Sequence, residues 1–202
     1  MNPDTYDPSF IDSAVRALVP GLADREKIFA AVAKKAQFGY DFATADASLR
    51  LLIARVLDGK KLPFRVTFYH VSMRGSMENG EEGNSEPRHV CEASIKVIVG
   101  GAEYHTVSEG NGPISALDGA LRLALGRQFS NRLEHITLVD FSVHLVGGRA
   151  TGTDAKTRVL VATSDGTQTW RTMGVGNNVV EASLLALIDA LEFALLPARM
   201  RK

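Results

Sequence analysis

Hydrophobic and polar positions change their rhythm twice along this chain. Residues 1–20, with Pro3, Pro8 and Pro20, hold little periodicity and predict a loose lead-in with one short helix. Over residues 24–40 the apolar Ile28, Phe29, Val32, Ala33 and Ala36 recur at helical spacing until Gly39 breaks the pattern. Ala47, Leu51, Ile53, Ala54 and Leu57 predict a second helix over 44–57, with Thr44 as its cap and Asp58-Gly59 as its stop. From Pro63 the period becomes two. Phe64, Val66, Phe68 and His70 alternate with Arg65, Thr67 and Tyr69, as in a half-buried strand. A polar, glycine-containing stretch over 75–88 predicts an exposed loop. Ala93, Ile95, Val97 and Val99 then alternate up to Gly100-Gly101, a hairpin-turn signal, and 104–107 returns as the next strand.

The second half repeats the first. Shifting the chain by 66 positions, the separation of Gly110 from Gly176, lays 93–125 on 159–191 without a gap. Ile95 meets Val161, Gly100 meets Gly166, Tyr104 meets Trp170 and Thr106 meets Thr172. Ala116, Ala120, Leu121 and Leu125 meet Ala182, Ala186, Leu187 and Leu191. An earlier strand in each half, 64–73 and 136–146, completes the unit. The expected fold is α+β: a duplicated β-β-β-α module with pseudo-two-fold symmetry, its sheets backed by helices, after a short helical linker subdomain. The expected division is 1–60 for the lead-in and linker and 61–202 for the module. Each module helix carries an apolar stripe, Ile114, Leu117, Leu121, Ala124 and Leu125 in the first and Val180, Leu184, Leu187, Ile188 and Leu191 in the second.

Composition narrows the function classes without naming one. The 202 residues are 45% hydrophobic, and 23 basic residues balance 23 acidic ones. No global field favours nucleic acid or an anionic membrane. Cys91 is the only cysteine, the N-terminal residues lack the pattern of a signal peptide, and the apolar stretch 184–196 is interrupted by Asp189 and Glu192. The expected location is cytoplasmic.

Candidate chemistry is sparse. The five histidines (His70, His89, His105, His135, His144) form no metal-ligand pair, and Glu109, Asp118, Asp140, Asp154 and Glu181 have no acid/base spacing. No nucleophile or phosphate-loop motif is present, so no catalytic and no metal-ligating residue is assigned. Gly174-Val175-Gly176 lacks the third glycine and the parallel β-α-β setting of a dinucleotide loop. What remains is Glu109-Gly110-Asn111-Gly112-Pro113 at a helix start, where glycines admit a ligand to the backbone and free N–H groups suit a carboxylate. Residues 175–178 form its counterpart in the second half.

Several strings resemble the regulatory domain of the 2-isopropylmalate/citramalate synthase family: SEGNGPISALDGALR (108–122), LVDFSV (138–143), GTDAKTRVLV (152–161) and GVGNNVVEAS (174–183). GTDAKTRVL and NVVEAS look closest to the citramalate branch. Residues 38–42 with 45–48 resemble the helical linker that precedes this domain. The resemblance implies a C-terminal domain that dimerises and binds an end-product amino acid, isoleucine in citramalate synthases and leucine in 2-isopropylmalate synthases. In the parent enzymes a (β/α)8 barrel condenses acetyl-CoA with a 2-oxo acid on a divalent metal. None of the barrel's machinery lies in this chain, which is expected to be inactive alone and to need no cofactor of its own. Carried over by motif, the effector residues would be Gly110, Asn111, Gly112, Ile114, Ser115, Leu138, Phe141, Leu145, Ala155 and Thr157. Phe141 stands where the family usually shows tyrosine, which removes a hydroxyl. The implied partners are a second copy, the amino-acid effector and the barrel. The alternatives are a leucine-binding domain of a 2-isopropylmalate synthase and a dimerisation module without a ligand.

Overall fold

A computed structural model describes residues 8–58, 63–75, 89–146, 155–197 and 201. Contacts divide the chain into two compact units, Met1–Lys61 with His135–Lys202, and Leu62–Glu134.

The second of these is one βββα repeat. Strands β1 (Phe64–Gly75), β2 (His89–Val99) and β3 (Ala102–Gly110) form an antiparallel sheet in that order, followed by helix α4 (Pro113–Leu133). Val99 pairs with Ala102 across a two-residue turn, Gly100-Gly101. Both turn residues have left-handed φ, 58° and 90°, which the twist of a tight hairpin demands and glycine supplies. Cys91, Ala93, Ile95, Val97 and Val99 are buried toward α4, which answers with Ala116, Leu117, Ala120, Leu121, Ala124 and Leu125.

The alternation expected along β1 does not run through. A bulge between Val66 and Phe68 inserts a residue, so Phe64 and Val66 share one face while Phe68 and His70 turn to the other. Phe64 is buried and Phe68 is 47% exposed. The exposed loop expected over 75–88 lies outside the described residues beyond Gly75.

The other unit holds helices α1 (Pro8–Leu18), α2 (Leu22–Gln37) and α3 (Asp46–Asp58), then the second repeat: β4 (Thr137–Val146), β5 (Lys156–Ser164), β6 (Thr169–Gly176) and α5 (Val179–Leu195). Ile11, Val15, Val19, Ile28, Val32, Phe42, Leu49 and Ile53 form a core of their own among the helices. Thr44 does not cap α3. Its hydroxyl donates to the Asp41 carbonyl at 3.0 Å, and the first helical bond runs from Leu49 N–H to Ala45.

The β4-β5-β6 sheet is antiparallel in sequence order, and β4 carries a bulge between Leu138 and Asp140, matching the one in β1. Val159 and Val161 pack on Ala182, Ala186 and Ala190 of α5. This sheet is also used on its opposite face. Met173 is buried there, its N–H donates to Ser48 Oγ at 3.0 Å, and its Sδ accepts from the Asp41 N–H. Arg158 Nε donates to the Gly39 carbonyl at 2.6 Å. The α+β fold with a duplicated module after leading helices is therefore as expected. Among the described residues no helix is long and apolar enough to cross a membrane.

Candidate functional site

The two repeats hold strand to helix by the same bond. Thr106 Oγ1 donates to the Ala120 carbonyl at 2.7 Å, and Thr172 Oγ1 donates to the Ala186 carbonyl at 2.9 Å. The helix starts differ. In the second repeat the Asn178 side chain accepts from Glu181 N–H at 2.9 Å, and Glu181 Oε2 accepts from Asn177 N–H at 2.8 Å. This reciprocal pair satisfies donors at the start of α5. In the first repeat the N-cap is Gly112, extended at φ −166°, with no side-chain cap, and Pro113 opens the helix. The first-turn N–H groups of Ile114 and Ser115 thus lack the capping carbonyl that Asn178 supplies in the other copy. The positive end of α4 points at a loop whose Gly110 leaves no room for a side chain, since an added Cβ would stand 2.5 Å from Ala116 N. The expected equivalence of the two loops fails here. Residues 175–178 are answered by their own side chains, and the spacing Asn178-x-x-Glu181 is the capping-box signal that carries this in the sequence.

The ten residues expected around an effector fall into two groups. Gly110, Asn111, Gly112, Ile114 and Ser115 flank Pro113 around the α4 start, with Asn111 and Ser115 exposed and the others half-buried. The second group belongs to the β4-β5-β6 sheet. Leu138, Phe141 and Leu145 pair with Thr163, Val161 and Thr157, which sets them on the face that carries α5. Phe141 packs on the Val159/Val161 cluster, while Leu138 is 40% and Leu145 69% exposed. Thr157 and, one residue before β5, Ala155 are buried.

A polar cluster absent from the sequence reading lies between α3 and α5. Arg55 Nη2 pairs with Asp189 Oδ1 at 2.7 Å and with Glu192 Oε2. Ser48 Oγ donates to Asp189 Oδ2 at 2.8 Å. Burial works against the Arg55 charge, but the two carboxylates outweigh it and raise its pKa. Burial raises the pKa of Glu192, with Arg55 opposing. The phenol of Tyr40 is pushed up to about 12 by burial and by Asp189, so it stays protonated. The signal was two acids, Asp189 and Glu192, on the most apolar helix. Buried acids need a cation, but nothing in their spacing says which. Among the described residues no group of three or more His, Cys, Asp or Glu side chains is placed to hold a metal ion.

An antiparallel three-stranded sheet with one helix, occurring twice and carrying an uncapped helix start in only one copy, defines a duplicated βββα module. Residues 43–195 match the LeuA allosteric (dimerisation) domain, and the chain belongs to that family. It is 35% identical over 222 residues to an (R)-citramalate synthase of Streptomyces coelicolor, covering 98% of this chain and 40% of that protein. With the (R)-citramalate synthase of Aquifex aeolicus it shares 39% identity over 177 residues, 88% of this chain and 32% of that protein. A 2-isopropylmalate synthase of Solidesulfovibrio magneticus is 34% identical over 99 residues, 49% of this chain. The chain spans less than half the length of these relatives.

Proposed function

We propose that this chain is the regulatory module of an acetyl-CoA-dependent (R)-citramalate synthase, forming a homodimer and binding isoleucine as a feedback effector. The observation that carries the reading is the uncapped α4 start in a chain whose relatives over most of its length are citramalate synthases. Its backbone donors and Asn111 suit the carboxylate of an amino acid. Leu138, Phe141 and Leu145 are the apolar candidates for contacting an aliphatic side chain. Exposed Val139 and Val143 on β4, with Phe68, Tyr69 and Met73 on β1, are apolar surface that a second copy would remove from water. A leucine-binding module of a 2-isopropylmalate synthase is the second reading, favoured by the 34% identity to such an enzyme across 49% of the chain.

Calorimetric titration with isoleucine, leucine and valine, beside light scattering for mass, tests both parts. The expected outcome is a dimer that binds isoleucine ~10-fold or more tighter than leucine, since pocket shape separates such isomers by ~1–3 kcal/mol. Leu145 is exposed, so Leu145→Lys should leave the melting temperature unchanged and remove binding. Wild-type affinity in that variant would take Leu145 out of the site, and tighter leucine binding would select the second reading.

A further inference from the structure

A cavity of about 130 Å³ opens among α2, α3, the 40–42 segment and α5, apart from every residue assigned to the effector. Its lining divides by chemistry. Leu52, Leu185 and Ile188 form an apolar side. Lys35, Tyr40 and Arg55 supply donors, and Ser48 and Asp189 are buried in its wall.

The donors outnumber the acceptors. Arg55 Nε is buried without a hydrogen-bond partner among the described residues, although the same guanidinium spends Nη2 on Asp189 and Glu192. Lys35 Nζ rests over the Tyr40 ring, 4.4 Å from its centroid, and pairs with no carboxylate among the described residues. Asp189 is already committed, with one oxygen to Arg55 and the other to Ser48. The Arg55 side chain as a whole stays 31% exposed and lines the cavity, so its guanidinium and Lys35 flank the space a ligand oxygen would enter. A ligand bearing an ammonium would instead bring a third cation beside Lys35 and Arg55, with no uncommitted carboxylate among the described lining residues to receive it.

Size sets the other limit. An apolar cavity of about 150 Å³ accepts benzene, so this one admits a molecule of only a few heavy atoms. We infer that the cavity is a second ligand site, taking a short aliphatic monocarboxylate. The carboxylate lies toward the Arg55 guanidinium and Lys35, and the tail lies against Leu52, Leu185 and Ile188. Such a ligand touches α2, α3 and α5 together and reinforces the junction made by the Arg55–Asp189 pair.

Isovalerate is the probe, with 3-methylbutan-1-ol as the analogue lacking the carboxylate and leucine as the one carrying an ammonium. Titration is followed by calorimetry and by the NMR signals of Tyr40 and Ile188, so it reads residues separate from those of the effector proposal. The expected result is saturable isovalerate binding with a dissociation constant on the order of 1 mM, in reach of so small a ligand. The alcohol should bind ~10-fold more weakly or worse, and leucine should not perturb these signals before they perturb those at Gly110–Ser115. Lys35→Met should weaken isovalerate several-fold, and Leu52→Phe, which fills the cavity, should abolish its binding in a chain that still melts cooperatively. No saturable binding, equal binding of acid and alcohol, or undiminished binding in both variants would overturn the proposal.

Discussion

The two repeats solve one packing problem with the small residue on opposite sides. In the second, Gly174 on β6 lies so close to α5 that an added Cβ would stand 1.9 Å from the Ala182 carbonyl oxygen and 2.9 Å from Leu185 Cβ. In the first, the equivalent strand position is Ser108, and the glycine has moved to the helix. Gly119 sits where Leu185 does, and a Cβ there would meet Ser108 Oγ at 2.4 Å. Strand and helix approach closely in both copies, held by the same threonine-to-carbonyl bond. One glycine faces immovable backbone, however, and the other faces a hydroxyl that can rotate. A close approach can thus persist through a duplication while the residue that permits it changes element, provided the pair together stays small.

The sharpest way to break this comparison is to add one methyl group to each copy. Gly174→Ala should cost about 3 kcal/mol or more, because the opposing atom is helix backbone and nothing nearby can yield. Gly119→Ala should stay within about 1 kcal/mol of the parent, the clash with Ser108 being offset by the helix preference for alanine. Scanning calorimetry on both variants decides it, and equal losses would mean that the two approaches are equivalent.

A smaller difference is expected at the shared bond. Thr172 is fully buried, and Thr172→Val should cost about 1 kcal/mol. Thr106 is only partly buried, so Thr106→Val should cost about half as much. Urea melts of the pair measure both, and a larger loss at Thr106 would reverse the ranking.

The smallest effect concerns the helix starts. Gly112 has extended backbone and open space around its Cα, so Gly112→Asn should reproduce the Asn178 cap and gain about 0.3 kcal/mol. If isoleucine uses the α4 donors, the same variant should weaken its binding, measured by titration. A stabler chain with unchanged affinity would separate the α4 start from the effector.

The repeat was legible because its markers answer to local physics: the Gly100-Gly101 turn, threonines meeting helix carbonyls, and alanines where helix meets sheet. The bulges in β1 and β4 were not. An inserted residue leaves alternation intact in the letters while reversing it in space, which is how Phe68 and His70 came to the wrong face. The partnership of Arg55 with Asp189 and Glu192 was out of reach for another reason. It joins residues more than 130 positions apart, and only the three-dimensional approach of α3 to α5 selects that arginine. Of the candidate site, the α4 start was read from its glycines and proline. That only one of the two equivalent loops lacks a cap emerged from the Asn178–Glu181 pair.

The chain contains one cysteine and one tryptophan, and each repeat owns one of them. Cys91 is buried on β2 beneath α4. Trp170 is buried on β6, its indole N–H donating to the Ala190 carbonyl of α5 at 3.3 Å and its ring against Phe193. Each copy therefore carries its own native reporter. The rate at which a thiol reagent reaches Cys91 times the opening of the first repeat alone, while indole emission follows the second. Folding order, ligand protection and the reach of any single substitution can be clocked in each half without a label and without cutting the chain.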